Sequence, residues 1–213
     1  MRSRRAVTSI TLAGLLLLLS LAAGCRDERG TARRELERRG VAFSEDAFVE
    51  TIRRRDIEGV NLFLDAGMSP DARDRNGATA LMNATIIDDF EIVARLIDRG
   101  ADVNARRDNG STALMFAALV GSDESLRLLL RKGAEINAVN EDGDTALMTA
   151  ARTGRASSVR LLLEAGADFG VRDKNGETAL VHAEERGHSE VVRLLREAGA
   201  DPSSPSQAPP LGK

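Results

Sequence analysis

The sequence predicts an all-α solenoid, in which a helix-turn-helix unit is repeated about five times and the units are joined by β-hairpin-like loops. Two sets of glycines, each with a period of 33 residues, carry this prediction. The first set is Gly77, Gly110, Gly143 and Gly176. The second set is Gly67, Gly100, Gly133, Gly166 and Gly199. A constant period of this length is typical of an array in which one small unit stacks on the next.

Each unit begins with a tight turn that leads into a helix. Asn-Gly or Asp-Gly supplies the positive φ that a hairpin tip needs, at 76–77, 109–110, 142–143 and 175–176. Two residues after each of these glycines stands a threonine that can cap the helix, at Thr79, Thr112, Thr145 and Thr178. A second helix follows, with apolar spacing such as Leu126, Leu129 and Leu130, and it ends at a glycine of the second set.

The first and last units are predicted to close the array, because a single unit cannot bury its own apolar face. The first unit has Phe48 in the leucine place and Ser44 as an N-cap, and Phe43 stands where a hydrophobic staple needs it. The last unit mixes charged residues with its leucines, so its outer side can face water. We place the domain at 44–201, with repeats at about 44–73, 74–106, 107–139, 140–172 and 173–201.

The sequence motif that recurs at the turns is similar to that of a known family. It reads N-G-A-T-A-L-M at 76–82, N-G-S-T-A-L-M at 109–115, D-G-D-T-A-L-M at 142–148 and N-G-E-T-A-L-V at 175–181. With the 33-residue period, this wording resembles the ankyrin repeat. The chain departs from that pattern in having alanine after each capping threonine, where the family favours proline. It also has Met82, Met115, Met148 and Val181 in place of the usual histidine. The resemblance implies a stack that binds a partner on its concave surface.

The first 24 residues are predicted to be a signal peptide with a lipobox. Three arginines precede a leucine-rich stretch that is short for a membrane span. It ends in L-A-A-G-C (21–25), which resembles the lipobox of bacterial lipoproteins, in which the cysteine becomes the acylated first residue. Cys25 is the only cysteine in the chain. The alternative is an ordinary signal peptide beside an incidental Cys25.

The residues after Cys25 bear on localisation. Arg26 takes the position where aspartate is the familiar inner-membrane retention signal of such lipoproteins, so the resemblance favours the outer membrane, facing the periplasm. Residues 25–43 are predicted to be a charged tether, with a helical turn around 35–38, that reaches at most about 55 Å when extended. Residues 202–213 contain four of the five prolines and are predicted to be disordered.

Composition argues against several functions. The formal net charge is −3, and removing the arginines of the signal makes the chain more acidic, so nucleic acid is a poor partner. Trp and Tyr are absent, which leaves no aromatic platform for bases or sugars. The two histidines, His182 and His188, have no second group that completes a metal site or a catalytic set. We therefore expect no enzyme, cofactor or metal, and a monomer.

A protein partner is expected in the concave groove. Helical spacing marks three outward positions on the first helix of each repeat, and in the middle of the array most of these are apolar. The predicted binding residues are Asn83, Ile86, Ile87, Phe116, Leu119, Val120 and Arg152, with Arg75, Asn76, Arg107 and Asn109 on the hairpins. The other outward positions are Glu50, Arg53, Arg54, Thr149, Thr153, His182, Glu185 and Arg186.

An apolar centre with a polar rim is typical of a protein interface. The sequence therefore predicts a lipid-anchored adaptor, accessory protein or inhibitor of the cell envelope. Two alternatives remain open. Some of these apolar side chains fill space beneath the hairpins, or the array is a structural spacer of the envelope with no specific ligand in its groove.

Overall fold

The computed structural model describes residues 28–201, and this range folds into eleven α-helices. The first helix, α1, covers residues 28–38. The others are α2 (Glu45–Arg53), α3 (Ile57–Asp65), α4 (Ala80–Ile86), α5 (Phe90–Asp98), α6 (Ala113–Val120), α7 (Asp123–Arg131), α8 (Ala146–Arg152), α9 (Ala156–Glu164), α10 (Ala179–Glu185) and α11 (Ser189–Glu197). Within 28–201 no strand forms, and one isolated bridge joins Arg73 to Thr79. The predicted all-α solenoid is confirmed.

The helices form two parallel rows. The inner helices α2, α4, α6, α8 and α10 pack against one another in order, and the outer helices α3, α5, α7, α9 and α11 do the same. Each inner helix also packs against the outer helix of its own repeat. Buried alanines such as Ala84, Ala117 and Ala150 lie on the inner helices, where small side chains let neighbouring backbones approach. The result is one continuous core along the array.

The predicted caps and turns are present. Thr79 accepts a hydrogen bond from the backbone N–H of Met82 at 3.2 Å, and the other three threonines make the same contact three residues ahead. Gly77 at the hairpin tip has φ +75°, and Gly100 after α5 has φ +89°. The methionines that replace the usual histidine, Met82, Met115 and Met148, are buried. They belong to the apolar core, and Met148 Sδ also accepts a hydrogen bond from the backbone N–H of Thr145 at 3.4 Å.

The N-terminal part of the described chain is more ordered than the charged tether that the sequence predicts, since the helical turn expected around 35–38 belongs to a helix that covers 28–38 and packs on the first repeat. Ala32 and Leu36, one helical turn apart on α1, are buried in the same core as Phe63. Phe43 and Phe48 both contact the ring of Phe63, with centroid distances of 5.9 and 5.3 Å. The two residues of the predicted hydrophobic staple are therefore linked by their common contact with Phe63. A helix face of spaced apolar residues thus covers the start of the stack.

Side chains in the outer loops fix the register between repeats. Each of three polar side chains accepts a hydrogen bond from a backbone N–H of the next repeat, at 2.8–2.9 Å. The pairs are Asp71 with Asp102, Asn104 with Glu135 and Asn137 with Asp168. Because the pairs recur with the repeat, they hold neighbouring units at a constant offset.

Three predicted features lie outside the described residues, namely the signal peptide 1–24, Cys25 and the tail 202–213. Among the helices between residues 28 and 201, none has the length and apolar character required to cross a membrane.

Candidate functional site

The hairpins and the inner helices line a common surface, which we call the groove. A cavity of about 430 Å³ lies in its N-terminal part. Its wall combines the hairpin residues Asp74, Asn76 and Arg107 with the helical residues Arg53, Asn83, Ile86 and Ile87, and with Ala78. The predicted binding residues Asn83, Ile86 and Ile87 therefore come together here with Asn76 and Arg107 of the hairpins, whereas Arg75 and Asn109 do not line this cavity.

Two apolar side chains stand open in the middle of the groove. Ile86 is 42% exposed and Leu119, at the same position of the next repeat, is 40% exposed. Ile87, Phe116 and Val120 are half-buried, and the first two also pack against the core. The predicted exposure of this apolar centre is thus confirmed for Ile86 and Leu119. Ile87 and Phe116 are less available to a partner, because they also pack against the core.

The helical period predicts an outward position for Asn83. This prediction is wrong, since Asn83 is only 5% exposed. Its amide oxygen accepts from Nε and Nη2 of Arg53 at 3.1 and 3.0 Å, and its Nδ2 donates to Asp74 Oδ2 at 3.2 Å. Arg53 Nη2 also lies 2.7 Å from Asp74 Oδ2. We call these three residues the Arg53 network. Asn83 serves there to hold the hairpin over the inner helix.

A second polar cluster lies three repeats further along, and we call Asp144, Arg152, Asp173 and His182 the His182 network. The side chain of His182 is 8% exposed, and its Nε2 lies 3.0 Å from Asp173 Oδ2. Arg152 Nη2 lies 2.7 Å from Asp144 Oδ2. His182 was expected to point outward, and it is buried for the same reason as Asn83. In both repeats an aspartate of the hairpin contacts the residue nine positions later.

Two predicted outward residues of α8, Thr149 and Arg152, are less exposed than the helical period predicts. Thr149 is buried, and its hydroxyl donates to the carbonyl oxygen of Thr145 at 3.0 Å. Arg152 is half-buried through its pair with Asp144, so it is less available than a rim residue. His188 lies between α10 and α11, where its Nε2 is 3.1 Å from the carbonyl oxygen of Arg152. This contact fits the structural role expected for His188.

The pKa values of two hairpin aspartates, Asp74 and Asp173, are lowered below their ordinary value, which favours the ionised form. Burial alone would raise the pKa of Asp74, but backbone N–H groups of Asn76 and Ala78, the Asn83 amide and the Arg53 charge together lower it below its ordinary value. The pKa of Asp173 is also lowered. Burial would raise its pKa, but the N–H groups of Glu177 and Asn175 and the nearby His182 lower it.

The hairpin residues predicted to bind are differently placed. The side chain of Arg75 is 85% exposed and pairs with Asp46 at 2.7 Å. Arg107 Nε donates to the carbonyl oxygen of Asn76 at 2.9 Å, and the carbonyl oxygen of Asn109 accepts from Glu141 N–H at 2.9 Å. These bonds join consecutive hairpins. Arg75 is therefore the most accessible cation of the set.

Sequence reasoning missed the acidic members of both networks, Asp74, Asp144 and Asp173. A signal for two of them was present, because Asp74 and Asp173 each precede an inner-helix hydrogen-bonding residue by nine positions. Asp144 lies in the hairpin of the preceding repeat, and only the stacking of repeats brings it to His182.

The comparisons with known proteins agree with this architecture. The sequence model of the family described as "Ankyrin repeats (3 copies)" matches residues 49–140 and, in a second match, residues 121–206. Together the two matches span more than half of the chain. They include every helix from α3 to α11 and all of α2 except its first turn. No curated protein is similar enough to this chain to count as a match.

Proposed function

Since this chain belongs to the ankyrin-repeat family, whose repeats generally mediate protein–protein interaction, we propose that its groove binds a segment of a protein partner. The observation that carries the proposal is the pair Ile86 and Leu119. Both are large apolar side chains, both are about two-fifths exposed, and they lie on adjacent repeats. Apolar side chains that stand exposed together between charged groups are typical of the centre of a binding interface.

The charges around the apolar centre indicate the chemistry of the partner. Arg75 and Arg107 lie on the hairpins at the N-terminal side, and the side chain of Arg75 is largely exposed. An acidic group on the partner would meet these cations, while an apolar side chain would cover Ile86 and Leu119. We infer a partner segment with an apolar stretch flanked by acidic residues.

We also propose that the module acts in a bacterial envelope, attached through a lipid on Cys25. Two sequence features support this. The L-A-A-G-C motif (21–25) ends at the single cysteine, and an apolar stretch preceded by arginines lies before the motif. Arg26 after the cysteine favours the outer membrane, facing the periplasm. In this position the protein is an adaptor, accessory protein or inhibitor of an envelope protein.

The test of the groove is the double variant Ile86→Asp with Leu119→Arg. Both side chains are well exposed, so the variant should fold and melt within about 2 °C of wild type. Burial of two unpaired charges against a partner costs several kcal/mol, so the partner recovered by crosslinking in intact cells should fall at least tenfold. Phe90→Arg is the matched control, because Phe90 is 37% exposed on the outer helix α5. This control should retain the partner.

The possible results separate the interpretations. Loss of the crosslinked partner in the double variant, with retention in Phe90→Arg, supports the groove. Retention in both variants with unchanged melting rules the groove out as the site. An envelope phenotype that survives the double variant in cells would favour the structural spacer instead.

A further inference from the structure

The His182 network brings together three side chains that are typical metal ligands. Asp144, Asp173 and His182 each offer one ligand atom, and these atoms all lie within 4.8 Å of one another. Their side chains are only 7%, 5% and 8% exposed. Two carboxylates and an imidazole nitrogen therefore converge at a place with little access to water.

The Arg53 network occupies the equivalent position near the start of the array, and it binds a cationic group. There a guanidinium bridges Asp74 Oδ2 and the amide oxygen of Asn83. Three repeats later Asp173 takes the position of Asp74, and His182 that of Asn83. Arg152 takes the position of Arg53, but its guanidinium contacts Asp144 of its own repeat. The second network thus presents an imidazole and two carboxylates where the first binds a cationic side chain.

We propose that Asp144, Asp173 and His182 bind a divalent transition-metal cation, for which Zn²⁺ is the first candidate. His182 Nε2 lies 3.0 Å from Asp173 Oδ2 and 3.9 Å from Asp144 Oδ1. Ligand atoms of a tetrahedral zinc site, with bonds of about 2.0–2.1 Å, are separated by about 3.4 Å. The two distances bracket this value, and all three ligand atoms lie within 4.8 Å of one another, so rotation of the side chains would be needed to bring them to a common metal ion.

The surroundings orient two of the three ligands, Asp173 and His182. Asp173 Oδ1 accepts from the N–H groups of Asn175 and Glu177 at 2.8 and 2.9 Å, which leaves Oδ2 facing His182. The other imidazole nitrogen, Nδ1, lies 3.8 Å from Glu177 Oε2. Metal binding requires the tautomer with its proton on Nδ1, facing this carboxylate, instead of on Nε2, where it is shared with Asp173 Oδ2 at 3.0 Å; the Nε2 lone pair is then free for the metal.

Charge and donor type select the cation. Asp144, Asp173 and Glu177 carry three negative charges, and Arg152 supplies one positive charge. A divalent cation neutralises the difference. An imidazole among the ligands favours zinc and its neighbours in the first transition row over Mg²⁺ and Ca²⁺, which prefer oxygen ligands only.

Metal binding here would join the last two repeats. Asp144 lies in the hairpin before α8, whereas Asp173 and His182 belong to the hairpin and inner helix of the following repeat. A ligand that binds only the folded state stabilises it, so the thermal midpoint should rise as the metal is added.

The experiment uses the full chain without an affinity tag, purified in detergent, treated with chelator and dialysed. ZnCl₂ is then titrated while binding is followed by calorimetry, melting by circular dichroism, and the imidazole C–H resonances by NMR. The chain has two histidines, so their resonances are readily separated. We expect one equivalent of zinc to bind, a higher thermal midpoint, and shifts of the His182 resonances without shifts of those of His188.

Three variants test the assignment. His182→Asn reproduces the residue at the matching place of the Arg53 network and should weaken zinc binding by more than about 100-fold. The matched control His188→Asn should bind within about threefold of wild type, and so should Cys25→Ser, which removes the only cysteine. Undiminished binding in His182→Asn would overturn the proposal, and so would unmoved His182 resonances in the wild-type titration. The NMR result decides the question even if a variant does not fold.

Discussion

Leu147→Ala tests the register of the stack at its most constrained point. Leu147 is 1% exposed on α8, and α8 packs against α6, α9 and α10. Truncation therefore opens a cavity that borders two repeat interfaces and the outer helix of the same repeat. Fully buried Leu→Ala changes cost about 2.7–5.0 kcal/mol, and we expect about 3 kcal/mol or more here.

This loss can be expressed as a shift in melting temperature. At about 2.1 cal/mol/K per residue, residues 28–201 unfold with an entropy of roughly 0.37 kcal/mol/K. A loss of 3 kcal/mol then lowers the midpoint by about 8 °C. Circular dichroism melting, with urea unfolding to obtain the free energy, measures both quantities on wild type and variant.

Leu119→Ala is the matched control, because it removes the same atoms from the groove. Leu119 is 40% exposed, so less apolar surface returns to water and no closed cavity forms. We expect a cost below about 1.5 kcal/mol. Equal losses in the two variants, or a Leu147→Ala protein that melts within about 2 °C of wild type, would refute the assignment of core and groove.

Two further predictions concern the anchor and the acidic side of the Arg53 network. If Cys25 is acylated, Cys25→Ser should move the protein from the membrane fraction to uncleaved precursor or soluble material and remove the lipid from the intact mass; an unmodified mature N-terminus at another residue would contradict this. The folded-state pKa of Asp74 lies below its unfolded value, so its stabilising contribution is present above about pH 4 and is lost as the pH falls through the folded pKa. The urea midpoint of Asp74→Asn should therefore be lower than that of wild type near pH 7 and converge with it towards about pH 2, and a constant difference over this range would contradict the role of the ionised carboxylate.

The turns and helix starts could be predicted because their residues impose a local geometry. Asn76-Gly77 determines the hairpin tip, and Thr79 caps the helix that follows within three residues. The open positions of Ile86 and Leu119 followed from the helical period in the same way. These features depend on neighbours in the sequence, so no contact between repeats is needed to infer them.

The burial of Asn83 and His182 could not be obtained from the helical period. The helical period assigns each residue an outward position, but an aspartate of the hairpin contacts it and the preceding repeat adds a charged side chain, so both are buried. Only one turn of α1, around 35–38, was predicted, and its full length and its packing were missed for a related reason. Ala32 and Leu36 are two apolar residues in a charged segment, and their burial depends on the core of the stack, which the segment alone does not reveal.

If Cys25 is lipidated as proposed, the docking of α1 on the first repeat limits how far the array can stand from a membrane. Cys25 precedes Glu28, where the described helix begins, by three residues, and three residues span at most about 11 Å. If Cys25 carries the lipid that we propose, the folded array starts beside the bilayer surface, whereas an extended tether would have allowed about 55 Å. The groove would then sample a thin layer next to the lipid, and its partners would be segments that themselves lie close to that surface.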